Sequence, residues 1–197
     1  MAPETKKREA TKRAILAALE KELLSPRRLT VEGIAREAGT NKALIYRYFG
    51  GLPGLIAGYA GSPQFMPDAG EITGLCPGNL NALGPRERFA CCIKAYIAAL
   101  ARRPATVQVL LRLPYFDAQT LKALQAGRRN AIQEIRTVFG PAGKCKDFDP
   151  ELAFSLIVSG ACHLLGARRA DWKSGPVALK RLAARLEDTA YALIAQH

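Results

Sequence analysis

The sequence predicts an all-α protein, with an N-terminal three-helix domain that holds a helix-turn-helix and a C-terminal helical bundle. Apolar residues recur at i, i+3 and i+4 through the segments that lie between proline and glycine breaks. Two of these segments, 31–38 and 41–49, are short and joined through Gly39, the arrangement of a tight helical corner. Prolines stand at the heads of later periodic segments, where a missing backbone N–H is no loss. A chain of 197 residues fits one or two domains and is long enough to bury a sizeable core.

In chain order, residues 1 to 8 are polar and are expected to be loose, a basic arm of Lys6, Lys7 and Arg8 that continues as Lys12 and Arg13. From about residue 5 to 24, Ile15, Leu16, Leu19 and Leu23 keep the helical period, and Ser25 with Pro26 closes this first helix. Thr30 then stands before Val31, Glu32 and Gly33 as an N-cap. Its hydroxyl and the free N–H groups behind it suit a phosphate oxygen.

The second helix carries Ile34, Ala35 and Ala38 on one face and leaves Glu32, Arg36 and Glu37 to water. Ala35 falls where the next helix crosses closest, and a larger side chain there would push the two apart. Gly39 supplies the left-handed residue of the turn, and Thr40 or Asn41 caps the third helix. In that helix Leu44, Ile45, Tyr48 and Phe49 share the packing side, while Asn41, Lys42, Ala43, Tyr46 and Arg47 lie opposite.

Residues 50 to 54 break the pattern, and residues 55 to 60 read as a fourth helix with Pro53 in its first turn. Residues 61 to 85 are rich in proline and glycine and read as an irregular connection with room for a short helix. A domain boundary is therefore placed between residues 1–60 and 61–197. In the second part, residues 86 to 101 align Phe89, Ile93, Tyr96, Ile97 and Leu100. Pro104 opens a helix with Val107, Leu110 and Leu111, and residues 117 to 139 form another with Leu121, Leu124, Ile132, Ile135 and Phe139. Pro150 opens a helix to about residue 169 that is apolar nearly all round, and Pro176 opens the last.

The run from Ile15 to Leu23, then Leu29, Thr30, Val31, Ile34, Ala35, Ala38, Gly39, Lys42 and Ile45 through Phe49, resembles the N-terminal DNA-binding domain of TetR-type transcriptional regulators, over roughly residues 8 to 60. The resemblance implies a sequence-specific regulator, a repressor released from a palindromic double-stranded operator by a small molecule. The second domain is then the ligand-binding and dimerisation bundle, and the chain a homodimer through about residues 150–194. The DNA-binding set is Thr30, Thr40, Asn41, Lys42, Ala43, Tyr46 and Arg47. By their chemistry Lys42 donates to guanine or phosphate, Asn41 reads a base edge or only caps, and Tyr46 and Arg47 meet phosphate. Tyr48 is assigned to the core. The effector pocket is expected near Tyr96, Arg112, Tyr115, Phe116, Gln133, Phe154, His163 and Trp172, each of which alone also fits a core or surface role. The chain departs from the resemblance at residues 50 to 54, which lack the basic residue these regulators usually carry at the head of the fourth helix.

The 29 basic and 17 acidic residues give a formal charge of +12, which favours a polyanionic partner. Residues 1 to 60 hold 11 basic and 6 acidic residues, so +5 lies there and +7 in the remainder, and the excess is spread rather than concentrated. The competing reading is a basic helical module that coats nucleic acid or a membrane surface without sequence choice. Cys76, Cys91, Cys92, Cys145 and Cys162 form no CxxC pair, so neither a zinc site nor a disulfide framework is expected. They read as small buried residues, with redox sensing by the adjacent Cys91 and Cys92 as the alternative. No leader and no membrane span is read, and a cytoplasmic protein is expected. Neither a Gly-rich phosphate loop after a strand nor HExxH or GxSxG is present, so no enzyme, cofactor or metal is expected.

Overall fold

The computed structural model describes residues 3–122, 124–125, 133, 138 and 150–171, and among these all regular structure is helical. The chain divides into two compact units, Met1–Phe65 with Gln108–Arg128 and Met66–Val107 with Arg129–His197.

The first unit opens with α1, Pro3–Leu24. The helix starts earlier than the apolar period suggests, so Lys6, Lys7 and Arg8 are on its exposed first turns and not in a loose arm. Proline suits the head of a helix, and the Glu, Lys and Arg that come after it are good helix formers, which propensity alone explains. Ile15, Ala18, Leu19 and Leu23 are buried along one stripe. Against it pack α2, Val31–Glu37, and α4, Leu52–Ala60, with α3, Lys42–Phe49, between these two. The centre of the unit is apolar: Ile34, Ala35, Ile45, Leu55, Ile56 and Tyr59 are all buried, and the Tyr59 and Phe65 rings meet edge to face at 5.3 Å.

Later residues complete this unit. A helical stretch starts at residue 118, capped by Asp117, whose carboxylate accepts from the Thr120 N–H at 2.9 Å and the Thr120 hydroxyl at 2.7 Å. These bonds hold the Asp117 carboxyl below its ordinary pKa. Thr120 and Leu124 are buried.

In the second unit, α5 spans Ala69–Leu75 within the segment read as irregular. Asp68 caps it by accepting from the Glu71 N–H at 2.8 Å. A short 3-10 turn, Leu80–Ala82, leads into α6, Pro85–Ala101, and α7, Pro104–Leu111, begins in this unit and passes into the first at Gln108. Arg88 ties the turn to α6 by donating to the Leu80 carbonyl at 3.0 Å. Arg103 makes a two-pronged bond to Glu71, 2.9 Å and 2.5 Å, with both side chains mostly out of water. The expected stripe of α6 is buried from Phe89 to Leu100. Phe89, Ile93 and Ile97 pack with Phe154, Ile157 and Ala161 of α8, Pro150–Asp171. The helix expected after Pro176, most of the one expected over 117–139, and Cys145 lie outside the described residues.

Candidate nucleic-acid interface

The corner between α2 and α3 is made by local chemistry at each step. The Thr30 hydroxyl accepts from the Gly33 N–H at 3.1 Å, which seals the start of α2. Gly39 takes φ +62°, the left-handed conformation that turns the chain, and the Thr40 N–H returns to the Ala35 carbonyl at 2.9 Å. The Asn41 side chain then accepts from the Leu44 N–H at 3.0 Å and starts α3. Of the two capping candidates, Asn41 is the cap.

Ile45 is wholly buried and Leu44, Tyr48 and Phe49 are half-buried, which leaves Asn41, Lys42, Ala43, Tyr46 and Arg47 on the exposed side. Tyr46 shows 55% of its surface. Thr40 is half-buried at the same corner, and Thr30 is half-buried at the head of α2. Six of the seven candidate DNA-contacting residues, Thr40 to Arg47, lie at the corner or along α3, and Thr30 lies at the head of α2.

Salt links brace the corner. Lys42 reaches Glu32 of α2 at 3.5 Å, and Lys21 of α1 reaches Glu37 at 2.8 Å, all four exposed. The Glu32 carboxyl is held below its ordinary pKa by its own backbone N–H first and by Lys42 second. Glu37 is lowered chiefly by the bond from Lys21. Pairs this exposed add little stability.

Tyr48 is held by two arginines. Arg47 donates to its hydroxyl and stacks on its ring, and Arg8 of α1 approaches the same ring. The Arg8 contact was not legible in the sequence, because about two turns of helix before the apolar stripe had to form first. The break expected at the α3–α4 junction is present, with Pro53 in the first turn of α4, and its closeness was not legible. Gly50 at φ +75° and Gly51 at φ +108° turn the chain, and Gly54 lies so close that a Cβ on it would fall 1.6 Å from the Phe49 carbonyl oxygen. The head of α4 offers no basic side chain here, only N–H groups.

The residues suggested for an effector pocket are dispersed. In the second unit, Tyr96 is buried and its ring meets that of Phe154 edge to face at 5.0 Å. His163 and Gln133 are exposed. In the first unit, Arg112 donates to the Leu23 carbonyl at 3.5 Å, at the end of α1, with Phe116 half-buried and Tyr115 86% exposed. Trp172 lies outside the described residues. Among the described residues of this set, Tyr96 and Phe154 are in mutual contact.

Residues 24–56 match the model of the bacterial regulatory proteins of the tetR family. No curated protein matches the chain. Solved structures do. A TetR-like transcriptional regulator from Rhodococcus sp. RHA1 is 18% identical at TM-score 0.62, covering 95% of this chain and 97% of that one. The fatty acid degradation regulator FadR from Bacillus halodurans is 18% identical at TM-score 0.61, covering 90% and 96%. NalD of Pseudomonas aeruginosa, described as the secondary repressor of the MexAB-OprM multidrug efflux pump, is 19% identical at TM-score 0.59, covering 94% and 96%. The chain carries a tetR-family helix-turn-helix within the fold of the TetR-type transcriptional regulators.

Proposed function

We propose that this protein is a repressor that places α3 in the major groove of a palindromic operator and leaves it when a small molecule binds. The observation that carries the reading is the face of α3. Asn41, Lys42, Ala43, Tyr46 and Arg47 are all exposed on a helix whose opposite side is anchored through Ile45. A helix of eight residues spans about 12 Å at 1.5 Å per residue, close to the width of the major groove. Lys42 reads a base edge or phosphate, Tyr46 and Arg47 hold phosphate, and Thr30 and Thr40 donate beside them. Asn41 acts first as the cap, since its side-chain oxygen is taken by the Leu44 N–H.

One such helix discriminates at ~1–3 kcal/mol per base pair and cannot select a single site, so a second copy is needed. A homodimer through residues 150–194 supplies it. Supporting this, α8 turns Leu156, Ser159, Gly160, His163 and Leu164 to solvent, and Leu156 shows 65% of its surface. A Cβ on Gly160 would meet nothing within 4 Å, so another helix can approach closely there. Residues 1–60 are then the DNA-binding domain and 61–197 the ligand-binding and dimerisation domain of a cytoplasmic protein. The Tyr96–Phe154 pair is where an effector search starts.

The test compares binding to duplex from upstream of the protein's own gene with random duplex, at about 150 mM salt. A preference of at least ~10³ with two chains per site is expected. Equal affinity for both duplexes supports the coating module instead.

A further inference from the structure

Arg8 comes close to two helical turns before Ile15, so it stands on the stripe of α1 that further along buries Ile15 and Leu19. The apolar core has ended by this point. Arg8 is exposed, and its guanidinium covers the ring of Tyr48 instead, with its carbon 5.6 Å from the ring centre. Arg47 already occupies that ring, stacked at 4.8 Å and bonded to the hydroxyl at 2.8 Å. Two guanidinium groups on one ring lie within about 10 Å of each other, near the Debye length at 0.1 M salt, so their repulsion is only partly screened.

Like charges this close favour an anion beside them. Among the described residues no carboxylate is paired with either arginine: Glu9 goes to Lys12 at 3.1 Å and Glu32 to Lys42 at 3.5 Å. Donors are also to spare. Stacking uses the face of a guanidinium and none of its five N–H groups, and Arg47 gives one of its own to Tyr48. The flat group of an arginine suits both a ring face and a phosphate, which the point charge of a lysine does not.

We propose that Arg8 is a DNA-contacting residue, carried by α1 to the Tyr48 ring so that it meets a backbone phosphate next to the one met by Arg47. The inference rests on the reading of α3 as the helix that enters the groove, and it extends the contact to a helix which that reading uses only as support. The occupant is the duplex because Arg47, the neighbour on the ring, is exposed on the same helix as Lys42 and Tyr46. A strand of duplex carries a phosphate about every 3.4 Å of axis, so two cations about 10 Å apart can each meet one of their own. Tyr48 is then a positioning residue. Its half-buried ring holds Arg8 before the duplex arrives, which lessens the ordering of a long side chain on binding.

Binding of the full chain to the duplex from upstream of its own gene is followed by anisotropy over a salt series. Arg8→Ala is expected to weaken binding several-fold and to lower the salt slope by about one, and the Arg8→Ala, Arg47→Ala double variant to lower it by about two. Arg8→Lys keeps the charge, so it should keep the slope while losing part of the affinity. In Tyr48→Leu the further loss caused by Arg8→Ala should be smaller, because the ring no longer holds Arg8 in place. Lys122→Ala removes one charge from an exposed position later in the first unit and should leave the slope as it was. The proposal is overturned if the slope is unchanged in Arg8→Ala, if Lys122→Ala lowers it equally, or if Arg8→Ala costs the same with and without the Tyr48 ring. Equal affinity for random duplex would count against the operator reading while these slopes still decide this one, and a chain that binds no duplex removes both.

Discussion

Arg47 donates from Nη2 to the Tyr48 hydroxyl at 2.8 Å while its guanidinium carbon lies 4.8 Å from the centre of the same ring. Arg8 of α1 stands 5.6 Å from that centre. One aromatic ring of α3 therefore holds two cations from different helices. A guanidinium has five N–H donors, so the bond to Tyr48 leaves Arg47 free to meet a phosphate. Arg47→Ala is expected to weaken binding to all duplexes alike and to lower the salt slope by about one. Tyr48→Phe keeps the ring and is expected to do less than Tyr48→Leu, which removes ~0.5–1 kcal/mol of cation–ring attraction for each arginine. Anisotropy titrations over a salt series measure both, and a slope unchanged in Arg47→Ala would contradict the phosphate assignment.

Glu32 competes with DNA for Lys42. The pair is 3.5 Å apart and exposed, so a phosphate can take the place of the carboxylate. Glu32→Gln is expected to raise affinity for duplex several-fold at low salt and to make the salt slope steeper, an effect that Lys42→Ala should abolish. If the gain persists in the double variant, Lys42 is not the residue released.

Gly54 is the tightest point between α3 and α4. A methyl group at this position would lie 1.6 Å from the Phe49 carbonyl oxygen, and backbone cannot step aside as a flexible side chain can. Gly54→Ala is expected to cost about 3 kcal/mol, the upper part of the range for overpacking. Urea unfolding followed by circular dichroism reads this directly. Gly74→Ala, within α5 and with nothing within 4 Å of the added carbon, serves as the control and should leave the midpoint unlowered or slightly raised.

Much of the interface was legible because it depends on short-range rules. The Thr30 cap, the left-handed Gly39, the Asn41 cap and the Ile45 anchor are each set by residue type within a few positions of the next. The head of α1 was placed two residues late, with residues 6 to 8 also read as a loose arm, for the opposite reason: residues 3 to 14 contain no apolar period, and only their propensity favours a helix. The start of α5 had a readable sign in Asp68 with Glu71 three residues later, an acidic cap before a helix. The return of α5 onto α6 had none, because it runs through a proline and glycine turn and residue spacing carries no information about it. The exposure of His163 and Tyr115 likewise reflects which side of an apolar segment finds a partner in the fold.

Cys92 makes stability depend on alkaline pH. Its thiol, ordinarily near 9.0, is raised to about 11 by burial, so the folded chain keeps a proton that the unfolded chain has already lost. The stabilisation is fully present below about pH 9 and disappears as pH rises toward 11. Urea midpoints are expected to fall over that window, and less steeply in Cys92→Ala once its lower starting stability is subtracted. A slope identical in the two proteins would show that Cys92 ionises as freely in the fold as outside it.

The two helices of the corner contain seven and eight residues. Segments shorter than about 12 residues rarely stay wound by themselves in water, because the first turn is expensive to nucleate. A peptide copied from residues 41–49 would accordingly be coil and blind to sequence. Shape at this surface is borrowed from α1, so trimming Ile15 or Leu19, neither of which faces outward, should silence the protein as thoroughly as removing Arg47.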